Sequence, residues 1–335
     1  MMPTAAFGPG GDARPPWARA LVTGGAGFLG SHLCTRLLDA GVETDCVDDL
    51  STGRAEKVAH LAGRPGFRFL ERDIAEPGCS EALTGPYDLV LHFAGPASPT
   101  APSDRAVRIL DAASLGTRAA LSVAGRDGAR FLLASSPPAD PRAGDADPVG
   151  AHSACAEAVR FSEALVAAHA GAHGSNAGIV RLFTGYGPGM RTDGGNAPGV
   201  FIEQALAGRP VVVAGDGSRT HTLCYVDDMV DGVLLVAAGR SVRPVDIGGD
   251  EEPTVGEIAR RVIDLVGSDS PLAFVDGRDE PPRGARPVTG FAREIFGWLP
   301  GVGWRDGLER TVVAFRGPDD PLPTVVSGRT AQRWE

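Results

Sequence analysis

Lysine is almost missing from this 335-residue chain: Lys57 is the one lysine among 32 Lys and Arg side chains. The arginine excess reads as a coding bias at the surface, yet it means that any catalytic role requiring a lysine falls to Lys57 alone. Long apolar stretches are missing too. No run of 18 apolar residues exists, which argues against a membrane span. Residues Met1 to Pro16 lack an apolar h-region and are rich in Gly, Pro and Ala, so they read as a disordered lead-in rather than a signal peptide. The five cysteines (Cys34, Cys46, Cys79, Cys155, Cys224) show no CxxC or zinc spacing and read as reduced thiols of a cytoplasmic protein, with no metal site. Positive charge is in deficit. A net charge of −10 argues against a nucleic-acid partner, which needs a basic face.

What is present is an ordinary globular composition, 43% apolar and 22% charged, long enough for one two-lobed domain or two modest ones. Short apolar runs alternate with helical patterns through the first half, the signature of βαβ units and a parallel sheet. The pattern predicts strands at Ala18–Val22, Val42–Val47, Phe67–Glu71, Leu89–Phe93, Arg130–Ala134 and Ile179–Phe183, with helices at Ser31–Ala40 and Ala151–Ala170. Repeated crossovers of this length give an α/β, doubly wound parallel sheet of the Rossmann type. Beyond Gly185 the pattern loosens, with helices predicted at Val200–Ala207, Met229–Val236 and Thr254–Val266 and strands at Val211–Val213 and Leu272–Val275. The expected organisation is a lead at 1–16, a dinucleotide-binding domain at 17–184 and a smaller C-terminal α/β substrate lobe at 185–317. That lobe has room for segments returning to the first domain, and a tail follows at 318–335.

After the first strand stands Thr23-Gly24-Gly25-Ala26-Gly27-Phe28-Leu29-Gly30, whose glycines satisfy both GxxGxxG and GxGxxG. Glycine permits the tight turn and the close approach of backbone to a pyrophosphate at a helix N-terminus. A glycine motif alone is a weak signal. Here a strand precedes it, a helix follows, and Asp48 closes the second strand, placed to take the adenosine ribose hydroxyls. Asp49 follows directly, and two carboxylates repel a 2′-phosphate, so the expected cofactor is NAD rather than NADP.

The chain resembles the extended short-chain dehydrogenase/reductases, the NAD-dependent epimerase/dehydratase family, with its nearest likeness to the UDP-glucuronate decarboxylase branch. The likeness runs from about Ala18 to Arg316. It rests on Thr23–Gly30 with Asp48, Ser51-Thr52-Gly53-Arg54, Arg72-Asp73-Ile74 and His92-Phe93-Ala94-Gly95-Pro96-Ala97-Ser98-Pro99. Tyr186-Gly187-Pro188, Gly215-Asp216-Gly217-Ser218 and Tyr225-Val226-Asp227-Asp228 extend it, and the Pro-Ala-Ser-Pro segment marks the decarboxylase branch. The resemblance implies that Gly24, Gly27, Phe28 and Leu29 cradle the pyrophosphate and that Thr52 and Gly53 lie along the adenosine. Asp73 and Ile74 would border the adenine, while Phe93, Ala94 and Ala97 would flank the nicotinamide ribose. It implies a small-molecule substrate, which in such relatives is a nucleotide-linked sugar, and a homodimer to which Ala151–Ala170 contributes a helix.

The family's chemistry begins with hydride removal from the sugar to NAD, served by a tyrosine and a lysine four residues later. By likeness, Cys155 stands at the tyrosine position and Val159 at the lysine position. None of the three tyrosines (Tyr87, Tyr186, Tyr225) has a lysine four residues on. After the fifth strand the chain reads Ser135-Ser136-Pro137-Pro138-Ala139-Asp140: a hydroxyl survives as Ser136, whereas Pro138 replaces the family's carboxylate. In the substrate region Thr184 replaces an Asn, His221 replaces a phosphate-contacting Arg, and Ala113 replaces another Asn, while Arg283 and Arg286 remain where relatives bind the diphosphate.

Three readings follow. The first is an enzyme with departed chemistry (elimination, epimerisation, decarboxylation or ring closure), with Ser136, Cys155, Asp140 and His152 as candidate acids and bases. The second is ordinary family redox chemistry run by a substitute group such as Cys155. The third is a catalytically silent NAD-binding partner or sensor. Other features read as structural: His169 and His173 as a solvated helix end, Glu157 and Arg160 as helix surface, and Asp227 and Asp228 as a cap before the helix at Met229.

Overall fold

The computed structural model describes residues 15–95, 106–137, 151–192, 196–276 and 285–316, with the side chains of 151–153 outside that set. In chain order the elements are β1 (Arg19–Thr23), α1 (Phe28–Asp39), β2 (Glu43–Asp48), β3 (Phe67–Glu71), α2 (Cys79–Ala82) and β4 (Leu89–His92). Then come α3 (Ala106–Asp111), a π-helical turn (Ala112–Gly116), α4 (Thr117–Asp127), β5 (Arg130–Ser135), α5 (Ala151–His173), β6 (Ala177–Leu182) and β7 (Gly185–Tyr186). The rest is α6 (Ala197–Leu206), β8 (Val211–Ala214), β9 (Cys224–Tyr225), α7 (Val226–Ala238), β10 (Val245–Ile247), α8 (Val255–Val266), β11 (Leu272–Val275), α9 (Gly290–Phe296) and α10 (Trp304–Arg316).

Seven parallel strands form the main sheet in the order β10-β6-β5-β4-β1-β2-β3. The chain runs outward one way from β1 through β2 to β3, then crosses to β4 and runs outward the other way. That reversal between β1 and β4 opens the crevice in which such sheets take ligands. Strand alternation decides what covers each face. Ala20 and Val22 of β1 point into a core shared with Leu33 and Leu37 of α1 and with α7 and α8, while Leu21 points into a second core with Val90, Leu121, Leu133 and Val166. Both faces being covered, the strands read as near-continuous apolar runs, and all four residues of β4 are buried.

The second lobe is not self-contained. After α7 the chain returns to the main sheet as β10, pairing Val245–Ile247 with Val180–Leu182 of β6. Two small parallel pairs, β7 with β9 and β8 with β11, sit beyond the sheet. The α8 start carries a full capping box between Thr254 and Glu257. α7 begins at Val226, earlier than the sequence suggests, so Asp227 and Asp228 occupy its first turn rather than cap it. There Asp228 accepts from the Val302 amide at 2.9 Å. At the far end of the sheet Asp45, almost wholly buried, binds Arg19, Arg68 and the Tyr87 hydroxyl, which hold its carboxyl below the usual range against the cost of burial.

Candidate functional site

The glycine turn between β1 and α1 is packed to the limit of what backbone allows. Gly24 has φ +68°, and a Cβ there would stand 2.5 Å from the carbonyl carbon and oxygen of Phe93 and 2.6 Å from the Ala94 nitrogen. A Cβ on Gly30 would meet the Gly24 carbonyl oxygen at 2.1 Å. The helix therefore starts directly on the turn, with Gly27 as its N-cap and no side chain capping its first amides. A helix end of this kind presents N–H groups and positive dipole to an anion.

Asp48 lies beside the turn. Its carboxylate accepts from the Ala26 and Leu50 amides, both at 2.9 Å, and burial lifts its pKa above the ordinary value although those two bonds pull it down. A Cβ on Gly53 would strike that carboxylate at 2.4 Å, so the absence of a side chain there leaves the cradle open. Thr52 follows the same loop and its carbonyl accepts from Arg191 at 3.3 Å. Asp49 is engaged by Ser51 and by Arg108 at 2.9 Å. Asp73 caps the Ala75 amide at 2.8 Å, and Ile74 is buried against Gly116 of the π turn. Phe28 and Leu29 are half-buried in the first turn of α1, as are Phe93 and Ala94 at the end of β4. The narrow turn, the open carboxylate cradle and the bare helix start fit a dinucleotide's pyrophosphate and ribose. Ala97 lies outside the described residues.

Sequence reasoning assigned no role to His92, and the structure shows why it matters. It is wholly buried, bonded through Nδ1 to the Thr23 hydroxyl at 2.7 Å and through Nε2 to the Thr117 hydroxyl at 3.2 Å, so it ties β1, β4 and α4 together under the crevice. Burial lowers its pKa to about 4. Because the folded value is below the unfolded one near 6.5, stability from the neutral ring is complete above about pH 6.5 and is lost as pH falls toward 4. The urea midpoint is expected to drop between pH 7 and pH 4.5. A His92→Asn variant should be less stable at pH 7 and lose less on acidification; an equal loss in both would remove His92 as the cause.

At the other end of the crevice the expected candidates divide. Ser136 follows β5 and is half-buried; Cys155 on α5 is buried with its thiol pKa raised by that burial, and Val159 is half-buried one turn on. His152 lies within α5 with its side chain outside the described set, and Asp140 and Arg283 lie outside the described residues. A second unforeseen group sits beneath: Ser135 donates to Glu163 at 2.7 Å, and Arg181 grips the same carboxylate at 2.8 and 2.6 Å. This layer pins α5 to β5 and β6 and so fixes the height of Cys155 and Val159 relative to Ser136.

All three tyrosines are committed elsewhere. Tyr87 is bound to Asp45, Tyr186 donates to the Trp304 carbonyl at 3.2 Å in the core, and Tyr225 packs edge-on against Tyr186 under Arg310. Lys57 lies after β2, where its charge acts on Asp48 and His32. In the second lobe Thr184, His221 and Arg286 converge with Thr220, Thr222, Glu252 and Ala285 around one small pocket. His169 and His173 pack with tilted rings at the end of α5, and Glu157 pairs with Arg160 on its exposed face. Among the described residues no cluster of three or more metal-ligating side chains occurs, and no helix is long and apolar enough to cross a membrane.

The class this defines is an α/β protein with a dinucleotide crevice at its strand reversal. The chain belongs to the NAD dependent epimerase/dehydratase family, which it matches over residues 20–248. It is similar to UDP-glucuronic acid decarboxylase 3 of Arabidopsis thaliana, with 34% identity over 312 residues covering 90% of each chain. It is also similar to UDP-glucuronic acid decarboxylase 1 of Xenopus tropicalis, with 33% identity covering 89% of this chain and 72% of the other. Among solved structures it resembles a Thermotoga maritima UDP-glucose 4-epimerase with UDP-glucose (TM-score 0.79, 26% identity, 89% and 98% covered). DesIV, a dTDP-glucose 4,6-dehydratase of Streptomyces venezuelae solved with NAD, gives TM-score 0.76 at 28% identity, 89% and 97% covered.

Proposed function

We propose that this chain binds NAD at the glycine turn and a nucleotide-linked sugar, of the UDP-glucuronate kind, at the pocket of Thr184, His221 and Arg286. In this reading it acts on that sugar without a tyrosine–lysine pair. One observation carries the proposal: α5, the helix beside the crevice, contains neither tyrosine nor lysine, and every tyrosine of the chain is anchored in another part of the fold.

When bound, NAD supplies a hydride acceptor. The chain's part is to hold the dinucleotide by Gly24, Gly27, Phe28 and Leu29 at its pyrophosphate, by Asp48, Thr52 and Gly53 along its adenosine ribose, and by Asp73 and Ile74 at the adenine. Phe93 and Ala94 would border the nicotinamide side. Ser136 is the hydroxyl at hand to hold a sugar oxygen. Cys155 is a poor base there because burial raises its thiol pKa and Val159 brings no charge to lower it. Proton removal is then the slow step, and losing a positioned base costs on the order of 10²–10⁴ in rate.

The assay is direct: purified protein, NAD and UDP-glucuronate, with NADH absorbance and product followed together. The expectation is tight NAD binding with turnover slower by that factor than a relative carrying the pair. Turnover at the relative's rate, unchanged in Cys155→Ala, contradicts it.

A homodimer is part of the same proposal. Val107, Leu110 and Leu115 on α3 and the π turn and Phe161 on α5 are 67%, 41%, 52% and 47% exposed, an apolar face that a second copy would cover. The five cysteines, none in a disulfide, suit a reducing cytoplasm.

A further inference from the structure

Among the described residues the pocket of the second lobe is small and partly open to solvent. Its volume is about 30 Å³, the space of a single water, whereas a drug-sized ligand takes roughly 300 Å³ or more. Two of its lining residues form an ion pair: Arg286 Nη2 lies 2.7 Å from Glu252 Oε2. The two partners are held differently. Glu252 belongs to the loop before α8, and that loop is tied to the opposite pocket wall by the His221 amide donating to Pro253 at 3.0 Å and by an antiparallel bridge between Thr220 and Thr254. Arg286 comes from the segment before α9 and its side chain is 66% exposed, against 30% for Glu252. The carboxylate is the fixed member and the guanidinium the movable one.

We propose that Glu252 is the internal counter-anion of Arg286, occupying the guanidinium fork that a ligand's diphosphate takes, so that ligand entry is an exchange of one anion for another. The inference rests on the reading that this pocket receives a nucleoside diphosphate. Its consequence is selectivity. A diphosphate brings more charge and more acceptor oxygens than one carboxylate and wins the exchange, whereas an uncharged nucleoside leaves the pair intact. Glu252 is thus a specificity-determining residue that sets the threshold for binding, and Arg286 is the group through which it acts.

The test is calorimetric titration of the full chain, loaded with NAD, with UDP and with uridine, for the natural protein, Glu252→Gln, Glu252→Ala, Arg286→Ala and the double variant Glu252→Gln, Arg286→Ala. Half-exposed ion pairs are worth up to about 1 kcal/mol, a factor of about five. Glu252→Gln is expected to tighten UDP by up to fivefold, and Glu252→Ala to do the same. Arg286→Ala is expected to weaken UDP about tenfold, and Glu252→Gln to give no gain in the Arg286→Ala background. NAD affinity stays equal in all. An unchanged or weaker UDP affinity in both Glu252 variants overturns the proposal. So does a gain that persists without Arg286, which is plain repulsion between Glu252 and phosphate. UDP binding by none of the five proteins, with NAD still bound, overturns the nucleotide reading itself and the exchange with it.

Discussion

The double variant Cys155→Tyr, Val159→Lys is expected to turn over UDP-glucuronate at least on the order of 10²-fold faster than the natural chain. Positions 155 and 159 lie four apart on α5 and so share one face, over the Ser135–Glu163–Arg181 layer that fixes the helix. A phenol alone is not enough. With a pKa near 10, about one tyrosine in a thousand is ionised at pH 7, and the natural neighbour is an uncharged valine. Cys155→Tyr alone is therefore expected to gain little at pH 7 and to show a rate rising toward pH 10, while the added lysine draws that rise downward by roughly two units. The pH–rate profile separates a restored base from a general improvement in packing, which would lift all pH values alike. A double variant that melts normally, binds NAD and is no faster places the limit elsewhere.

Gly24→Ala is expected to abolish NAD binding, with Gly30→Ala close behind. At Gly24 two costs combine: a left-handed φ of +68° and a Cβ 2.5–2.6 Å from three backbone atoms of Phe93 and Ala94, which no side-chain movement can relieve. At Gly30 the collision is with the Gly24 oxygen at 2.1 Å and the Gly25 Cα at 2.7 Å, so α1 would be pushed off the turn. Gly41 supplies the control. Its φ is +82° but nothing stands within 4 Å of a Cβ, and Gly41→Ala should cost about 1 kcal/mol with NAD affinity unchanged. Isothermal titration with NAD and thermal melting of the three variants distinguish crowding from φ strain. Retained NAD affinity in Gly24→Ala would contradict the placement of the pyrophosphate.

What the sequence discloses and what it hides divides along contact range. The strands Phe67–Glu71 and Leu272–Val275 are readable to the residue because turn residues bound their short runs of strand-favouring side chains. The glycine turn is readable because its chemistry is backbone chemistry, written in consecutive letters. β10 escapes because three residues carry no periodicity, and its place is set by β6, more than sixty residues earlier. α1 begins at Phe28 rather than Ser31 because the turn leads into the helix without a capping side chain. The same holds at the site. His92 with Thr23 and Glu163 with Ser135 meet across 69 and 28 residues, and no local pattern announces either. Thr184, His221 and Arg286 are singled out only through likeness to relatives, and Glu252, which binds Arg286, is not signalled at all.

The central claim is that the nicotinamide end of the crevice faces Ser136 and Cys155, with no phenol and no amine. A crystal structure of the chain with NAD and UDP bound measures this directly, through the side chains within about 4 Å of nicotinamide C4. The account predicts a hydroxyl and a thiol there. A density that brings Tyr186, Tyr225 or Lys57 to that carbon would contradict it and return the chain to the ordinary chemistry of its family.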